Sequence, residues 1–340
     1  MDTAQVMSPV APVDAMLHEQ LLDRRARLRD AQSQNAFDMD VTRLLNEVDA
    51  ALMRFDAGTY GMCEECHEAI EPERLVADPL IRLCLGDLTQ KQLDAMQQDL
   101  QLAAEIQRGL LPKGDLSCEF WQVDLAYLPA GIVSGDYVDV MRQNGELFFM
   151  LGDVSGKGMA ASILMSNLHA MFRALIPVGL ELCDLMSRAN RMFNESTLAN
   201  QYATLILGKM NARGEVEMCN AGHLPPIIVG AERSVELDST GLPLGMFSDS
   251  SFVSSGVKLE PGETLLLFTD GVTEANAADG SEFGVDRLRE SINGTAKGHP
   301  TELLQNCVNA VAAFRNGAVR NDDLTMLALK FTGSGSQRGF

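Results

Sequence analysis

The stretch ELFFMLGDVSGKGMAASILM, residues 146–165, decides the fold of this chain: an apolar β-like run, a glycine-rich turn and a helix-like segment. A second β-like run, YVDVMR, occupies residues 137–142, and Asn-Gly at 144–145 lies between the two runs. Asn-Gly between β-like runs is a strong signal for a two-residue hairpin loop. With that loop, Gln143 faces Glu146, and the same register places Asp136 opposite Asp153.

The facing pair of Asp136 and Asp153 points to a cation. Directly opposed side chains on antiparallel strands have Cβ atoms about 4.5–5.5 Å apart, so two carboxylates placed in this way repel each other. A divalent cation between them relieves that repulsion, because hard cations bind carboxylate oxygens. Two alternatives stay open at this stage: the register slips by a residue, or one aspartate turns to solvent.

The glycine-rich turn itself does not match a nucleotide-binding loop. A P-loop needs G-x-x-x-x-G-K followed by Ser or Thr. Here Gly152 and Gly156 are one residue too close, and Gly158 follows Lys157. The dinucleotide fingerprint G-x-G-x-x-G is absent as well. The glycines therefore indicate a tight turn from a strand into a helix.

Two other apolar runs begin or end with an acidic residue. Asp270 ends the run in ETLLLFTDGVTEA, and Asp322 and Asp323 open the run in NDDLTMLALKF. An aspartate leaving one strand and an aspartate entering an antiparallel neighbour lie on the same edge of a sheet. Each one alone is an ordinary turn residue. Together with Asp136 and Asp153 they predict an oxygen-only site on one rim, which favours Mg²⁺ or Mn²⁺ over Zn²⁺.

The wider pattern predicts an α+β fold: an α–β–β–α sandwich of two stacked antiparallel sheets with helices on their outer faces. Short β-like runs alternate with turn signals from about residue 116 to 332, and four longer helical segments interrupt them. The formal net charge of −20 disfavours direct binding to nucleic acid or to an anionic membrane. No apolar stretch approaches the length that a bilayer requires, no signal peptide is evident, and seven scattered cysteines favour a reducing cytoplasm.

The chain ahead of the sandwich has its own organisation. We predict a flexible tail at 1–12, a helical hairpin with a small cysteine module at 13–87, and a linker helix at 88–113. The linker helix carries Leu93, Met96, Leu100 and Ala103 at a spacing that suits either a coiled-coil seam or packing on its own protein. The sandwich domain is expected at 114–332, followed by a flexible tail at 333–340.

Several motifs, in this order, resemble the metal-dependent PPM-type serine/threonine phosphatases, and in particular their SpoIIE/RsbU-like branch. The motifs are SGDYVD, GDVSGKGMAAS, NAGHLPP, FTDGVTEA and NDDLT, and the resemblance covers about residues 104–331. It implies the α–β–β–α sandwich with a centre of two Mg²⁺ or Mn²⁺ ions. Asp153 would bridge the ions and the Val154 carbonyl would contribute. The other positions that match family ligands are Asp136, Asp270 and Asp322, and Asp139 and Asp323 either bind the metal as well or support its ligands.

The resemblance also implies an activity. A metal-activated water would hydrolyse phosphoserine or phosphothreonine on a protein, by family analogy an anti-sigma-factor antagonist of a partner-switching pathway. His223 in NAGHLPP is a conceivable general acid, but the local turn chemistry favours a structural histidine. Lys157 either helps an anionic substrate to approach or is simply solvated.

The cysteine module resembles the DksA/TraR-type zinc finger. Cys63 and Cys66 form a C-x-x-C, but the second pair of the family reads Cys84-Leu-Gly-Asp87. Tetrahedral zinc takes four N or S ligands. Three thiolates with Asp87, His67 or a water would bind zinc; equally, the finger has lost its metal.

The resemblance to this zinc-finger family leaves a second function open. The module is regulatory or dimerising, with a homodimer through the linker helix, or it docks on RNA polymerase. Members of the family act on the polymerase through acidic residues at a hairpin tip, where Asp38 and Asp40 lie here. A solvated loop is the plainer interpretation of these two residues.

Overall fold

A computed structural model describes residues 11–34, 39–87, 90–113, 116–198, 201–230, 234–236, 241–293 and 298–333. The chain divides into two compact units, Met1–Gln97 and Gln98–Phe340. Residues 1–10, 35–38 and 334–340, which hold most of the two predicted tails and Asp38 at the hairpin tip, lie outside the described residues.

The first unit contains the predicted helical region and the cysteine module. Leu21 of the first helix packs against Val48, Ala51 and Leu52 of the second. The helices are α1 (Ala11–Gln34), α2 (Met39–Asp56), α3 (Pro72–Ala77) and α4 (Gln90–Leu110), with a 3₁₀ turn at Leu85–Asp87. α4 begins in the first unit and ends in the second.

The second unit contains two five-stranded antiparallel sheets. The strands are β1 (Trp121–Leu128), β2 (Asp136–Gln143), β3 (Glu146–Val154), β4 (Ala203–Met210), β5 (Glu215–Ala221), β6 (Ile227–Val229), β7 (Ser234–Glu236), β8 (Ser254–Lys258), β9 (Thr264–Phe268) and β10 (Leu324–Phe331). Sheet I has the order β1-β10-β9-β6-β7 and sheet II the order β2-β3-β4-β5-β8.

Helices cover the outer face of each sheet, so the predicted α–β–β–α sandwich is confirmed. The helices are α5 (Gly158–Leu175), α6 (Leu182–Ser196), α7 (Asp270–Thr273), α8 (Gly284–Ile292) and α9 (Pro300–Arg315). α5 and α6 bury side chains such as Leu168 and Phe193 against sheet II. α8 and α9 bury Leu288 and Leu304 against sheet I. A third cluster, which includes Phe149 and Leu267, fills the space between the sheets.

The β2–β3 hairpin forms in the predicted register. Gln143 pairs with Glu146, and Asp136 pairs with Asp153. Asn144 and Gly145 both have positive φ values, 52° and 82°, which the type I′ turn requires and which these two residues tolerate. The turn at one end of the hairpin therefore fixes which residues face each other at the other end.

One helical segment departs from the expectation about membrane-length stretches. Within the described residues, Gly158–Val178 alone is long and apolar enough to cross a bilayer by length and composition. Leu164, Leu168 and Phe172 on this segment are buried in the core between the helices and sheet II. Packing on the sheet accounts for its apolar inner face.

Candidate metal centre

The alternation of side chains along β2 and β3 places Asp136 and Asp153 between the two sheets. Asp136 lies on the same face of β2 as Val138, and Asp153 on the same face of β3 as Leu151; both apolar residues belong to the core between the sheets. Asp136 is almost fully buried. Its Oδ2 accepts hydrogen bonds from the hydroxyl of Thr269, the residue after β9, at 3.0 Å and from that of Thr325 in β10 at 2.5 Å.

The other two aspartates reach the same rim through a close backbone contact. Asp270 opens α7 just after β9, and Asp322 precedes β10. At Gly271, a Cβ atom would lie 1.9 Å from the carbonyl oxygen of Asp323. Only glycine permits this approach. Gly271 therefore allows the segment that carries Asp270 to lie against the segment that carries Asp322.

The pKa values of three of these carboxyls show that the cluster is crowded with negative charge. Burial, and then the charge of Asp153, raises the pKa of Asp136 well above its usual value. Burial, followed by the charges of Asp270 and Asp322, raises the pKa of Asp153 to about 7. The pKa of Asp270 is raised by burial and then by Asp322. Each carboxylate is thus destabilised in its charged form by its neighbours, which is the electrostatic condition that a bound cation relieves.

Lys157 lies at the exposed side of the cluster. Its Nζ is 2.8 Å from Asp322 Oδ2 and donates a hydrogen bond to the Asn321 carbonyl at 2.6 Å. The side chain is two-thirds exposed, at 66%. Lys157 therefore orients Asp322 at the rim.

Asp323, next to Asp322, is engaged by the protein backbone through both of its carboxylate oxygens. Its two carboxylate oxygens accept hydrogen bonds from the backbone amides of Ala130, at 2.7 Å, and Gly135, at 2.9 Å. Both amides belong to the connection that leads from β1 into Asp136. Asp323 therefore holds that connection in place.

Asp139, predicted to bind the metal or to support its ligands, does not join the cluster in the structure. It lies three residues after Asp136 on the same strand, and an odd offset puts it on the opposite face of the sheet. There Arg173 of α5 donates to both carboxylate oxygens, at 2.7 and 2.6 Å, and Asp139 is fully buried. The carboxylate is occupied by a structural ion pair between β2 and α5.

His223 is a buried bridge between the sheets. Its Nε2 lies 3.1 Å from the Phe268 carbonyl and its Nδ1 lies 2.8 Å from the Thr204 hydroxyl. Because a carbonyl only accepts, Nε2 carries the proton and Nδ1 accepts from Thr204. Burial lowers its pKa to about 4, so the ring is neutral at pH 7. Thr204 pairs with Asp153 across the strands, so His223 supports the site from behind.

The donor set fits divalent cations that prefer oxygen. All the converging side chains are carboxylates. The position of a Cβ on Gly135 would lie 3.1 Å from the Val154 carbonyl oxygen and 3.4 Å from Asp153 Oδ1. Because glycine has no side chain, Gly135 leaves space beside the Val154 carbonyl oxygen and Asp153 Oδ1, which are both predicted metal ligands.

The aspartates of the rim are spaced differently from the donors of the cysteine module. Among the described residues, the donor atoms of Cys63, Cys66, Cys84 and Asp87 all lie within 4.8 Å of one another, and the aspartates do not form such a group.

The cysteine module gathers four donors. Asp87 Oδ2 lies 3.1 Å from the sulfurs of Cys63 and Cys84, and the sulfurs of Cys66 and Cys84 are 3.6 Å apart. The donor atoms of these four side chains all lie within 4.8 Å of one another, and His67 is not among them. Hydrogen bonding to Asp87 raises the pKa of the Cys66 thiol to about 12. Hydrogen bonding to Asp87 raises the pKa of the Cys84 thiol as well.

Gln107 of α4 makes buried hydrogen bonds with the backbone of Ser134 that the sequence did not predict. It is 3% exposed, and its Nε2 donates to the Ser134 carbonyl at 2.7 Å while its Oε1 accepts from the Ser134 amide at 2.9 Å. Ser134 lies two residues before Asp136. A glutamine in an amphipathic helix carries no signal that distinguishes it from a solvated residue, so only the tertiary structure reveals this role.

Two family models match the chain. Residues 143–332, more than half of the chain, match the model described as stage II sporulation protein E (SpoIIE). Residues 58–86 match the prokaryotic DksA/TraR C4-type zinc finger.

Curated relatives and solved structures agree with these matches. Protein IcfG of Synechocystis is 29% identical over 263 residues, which cover 68% of this chain and 41% of IcfG. The phosphoserine phosphatase RsbU of Bacillus subtilis is 24% identical over 238 residues, covering 69% of this chain and 70% of RsbU. The SiaA-PP2C domain of Pseudomonas aeruginosa superposes with a TM-score of 0.62 at 20% identity, over 70% of this chain and 98% of that domain. The chain thus spans less than half of IcfG, and the structural likeness establishes the fold.

Replacing Asp153 with Asn tests the repulsion directly. At about pH 8 without metal we expect Asp153→Asn to raise the free energy of unfolding by about 1–3 kcal/mol, because one of the crowded charges is removed. We also expect Mn²⁺ to raise the melting temperature of the wild type by mass action, and to raise that of the variant far less. Differential scanning fluorimetry over a Mn²⁺ titration measures both effects.

The matched control is Asp249→Asn, which removes the same charge at an exposed turn. It should leave both the metal-free stability and the response to Mn²⁺ unchanged. An equal rise in melting temperature for wild type and Asp153→Asn would show that Asp153 does not bind the ion.

Proposed function

The chain belongs to the SpoIIE family, and on that basis we propose that it is a metal-dependent protein phosphatase acting on phosphoserine or phosphothreonine. The single observation that carries the proposal is the convergence of Asp136, Asp153, Asp270 and Asp322 on one rim of the sandwich. Burial, and then the charges of neighbouring aspartates, raise the pKa values of Asp136, Asp153 and Asp270. Carboxylates gathered in this way are costly to keep together unless they bind cations.

The residues of the candidate metal centre have separate roles. Asp136, Asp153, Asp270, Asp322 and the Val154 carbonyl would hold the Mn²⁺ or Mg²⁺ ions, with Asp153 at the centre of the set. Bound there, the ions supply a water of lowered pKa and positive charge for the phosphoryl oxygens. Thr269 and Thr325 fix one oxygen of Asp136 and leave the other for an ion.

The substrate is proposed from the relatives. RsbU is named a phosphoserine phosphatase. We propose that this chain likewise acts on a phosphorylated protein, an anti-sigma-factor antagonist of a partner-switching pathway, in the cytoplasm. Its net charge of −20 and its odd number of cysteines support an intracellular protein substrate over a nucleic acid.

Regulation by the N-terminal module is proposed through α4. The helix carries Gln107, which holds Ser134 beside the Asp136 strand. Leu93, Leu100 and Ala103 of the predicted seam are partly exposed, and Met96 is 41% exposed. This exposure supports a homodimer through α4, and a change in the helix would reach the metal centre through Gln107.

Docking on RNA polymerase gains no support from the described residues. Asp38 lies outside them, and the carboxylate of Asp40 is 3.9 Å from Arg43 on the same helix. An acidic side chain beside its own arginine is a common feature of a solvated helix.

A phosphatase assay tests the proposed function. With Mn²⁺ we expect the wild type to hydrolyse p-nitrophenyl phosphate and a phosphoserine peptide, and a chelator to abolish both activities. Asp270→Asn should lower kcat by about 100-fold or more, because a charge that holds a catalytic ion is lost. Asp249→Asn is the control and should keep wild-type kcat. Equal turnover by the wild type and an Asp153→Asn, Asp270→Asn double variant would refute the site.

For the cysteine module we propose a zinc ion bound by Cys63, Cys66, Cys84 and Asp87. The convergence of the four donors supports this set, and carboxylate oxygen is an accepted zinc ligand.

Elemental analysis of the purified chain should find about one zinc per molecule, matching one four-donor site. Asp87→Ala should weaken zinc retention against a chelator by about tenfold or more, and Asp87→Cys should restore or strengthen it. Glu65→Ala, an exposed carboxylate within the same C-x-x-C, is the control. A wild-type protein without zinc, whose stability does not respond to added zinc, would show that the finger has lost its metal.

A further inference from the structure

A pocket of about 190 Å³ opens beside the metal centre, on the side of Asp322. Lys157 and Asp322 form the edge nearest the centre, and Arg315 and Arg320 line another part of the wall. Val311 and Leu324 contribute apolar surface. The pocket therefore combines two guanidinium groups with an apolar wall, within the same unit as the candidate active site.

The protein provides hydrogen-bond acceptors for only some of the N–H donors of Arg320. Its Nη1 donates to the carbonyls of Leu128 and Pro129, each at 3.1 Å. Its Nε is buried and has no hydrogen-bond partner. An arginine has five N–H donors in a planar fork, and a buried donor without a partner is uncommon in a native protein. The two carbonyls fix the side chain in place and leave donor capacity unused.

Arg315 lies close enough to Arg320 for the two positive charges to repel each other. Its Nη2 donates to the Ala318 carbonyl, and its pKa is lowered by burial and then by the neighbouring Arg320. Within the part of the chain that the structure describes, neither arginine has a carboxylate within 4.0 Å. Asp322 forms an ion pair with Lys157. Glu274 also lines the pocket, but its carboxylate does not come within 4.0 Å of either guanidinium.

Two adjacent guanidiniums without a carboxylate call for an anion from outside the chain. The protein carries 47 acidic residues against 27 basic ones, so carboxylates for pairing are abundant. Like charges held together at a partly buried place destabilise the fold unless a counter-charge is present. The arginine fork matches a carboxylate with two parallel hydrogen bonds.

We propose that Arg315 and Arg320 form a subsite for the carboxylate of an aspartate or glutamate that neighbours the phosphorylated residue of the protein substrate. The apolar surface of Val311 and Leu324 suits the methylene groups of such a side chain. The pocket adjoins Asp322, so a peptide with its phosphoryl group at the metal centre would bring a nearby residue to it. This inference rests on the proposed phosphatase function and assigns that function a sequence preference.

The test compares phosphoserine peptides that differ by one acidic residue. A fluorescent peptide carries one phosphoserine among alanines, and a series replaces the alanines on either side, one at a time, with glutamate. Binding to the full chain with Mn²⁺ is measured by fluorescence anisotropy, which needs no turnover. Inhibition of p-nitrophenyl phosphate hydrolysis by the same peptides gives an independent affinity.

We expect at least one glutamate position to bind the wild type about 10- to 100-fold more tightly than the all-alanine peptide, the range of a charge-assisted hydrogen-bonded pair. Arg315→Ala and Arg320→Ala should remove most of that preference, and Arg320→Lys should retain only part of it because the fork is lost. The control is Arg213→Ala, an exposed arginine on the β4–β5 connection, which removes the same charge and should keep the preference.

The outcomes separate the subsite from the phosphatase function. A wild type that hydrolyses p-nitrophenyl phosphate but binds all peptides alike refutes the subsite alone. A loss of affinity in both arginine variants that is equal for alanine and glutamate peptides also refutes it, and would place the phosphoryl group in the pocket. A wild type without phosphatase activity, whose glutamate preference still depends on Arg315, refutes the function and keeps the subsite. If Arg320→Ala does not fold, Arg315→Ala carries the test, because among the described residues the Arg315 side chain donates a hydrogen bond to the Ala318 carbonyl alone.

Discussion

Repulsion between carboxylates at one end of the sandwich is the constraint on which the rest of the structure depends. Asp136 and Asp153 face each other across a hairpin, and Asp270 and Asp322 arrive from the other sheet. The protein places hydrogen-bond donors behind this cluster: two threonines on Asp136, and backbone amides on the neighbouring Asp323. These contacts fix the geometry, but they do not remove the mutual repulsion, which bound cations would relieve.

The sequence predicted this constraint because the decisive signals are local. Asn144 and Gly145 specify a two-residue turn, and the turn determines the register as far as Asp136 and Asp153. Strand ends that carry an aspartate then indicate one rim. The order of motifs supplied the family and the α–β–β–α architecture, which the structure and the family match confirm.

What the sequence did not predict depends on contacts between distant residues. Asp139 was a candidate ligand through the family resemblance, although its odd offset on the strand turns it toward Arg173. In the sequence, Gln107 is an ordinary polar residue of a helix, but in the structure it is buried against Ser134. The short helix α7, opened by Asp270, depends on the close approach at Gly271, which no local pattern reveals.

Diffraction data collected at the manganese absorption edge, from crystals grown with Mn²⁺, test the central claim most directly. The account predicts two anomalous peaks about 3.5–4 Å apart, with Asp153 bridging them and Asp136, Asp270 and Asp322 completing the ligands. A map without anomalous density at this rim, at saturating Mn²⁺ and with the four side chains ordered, would contradict it.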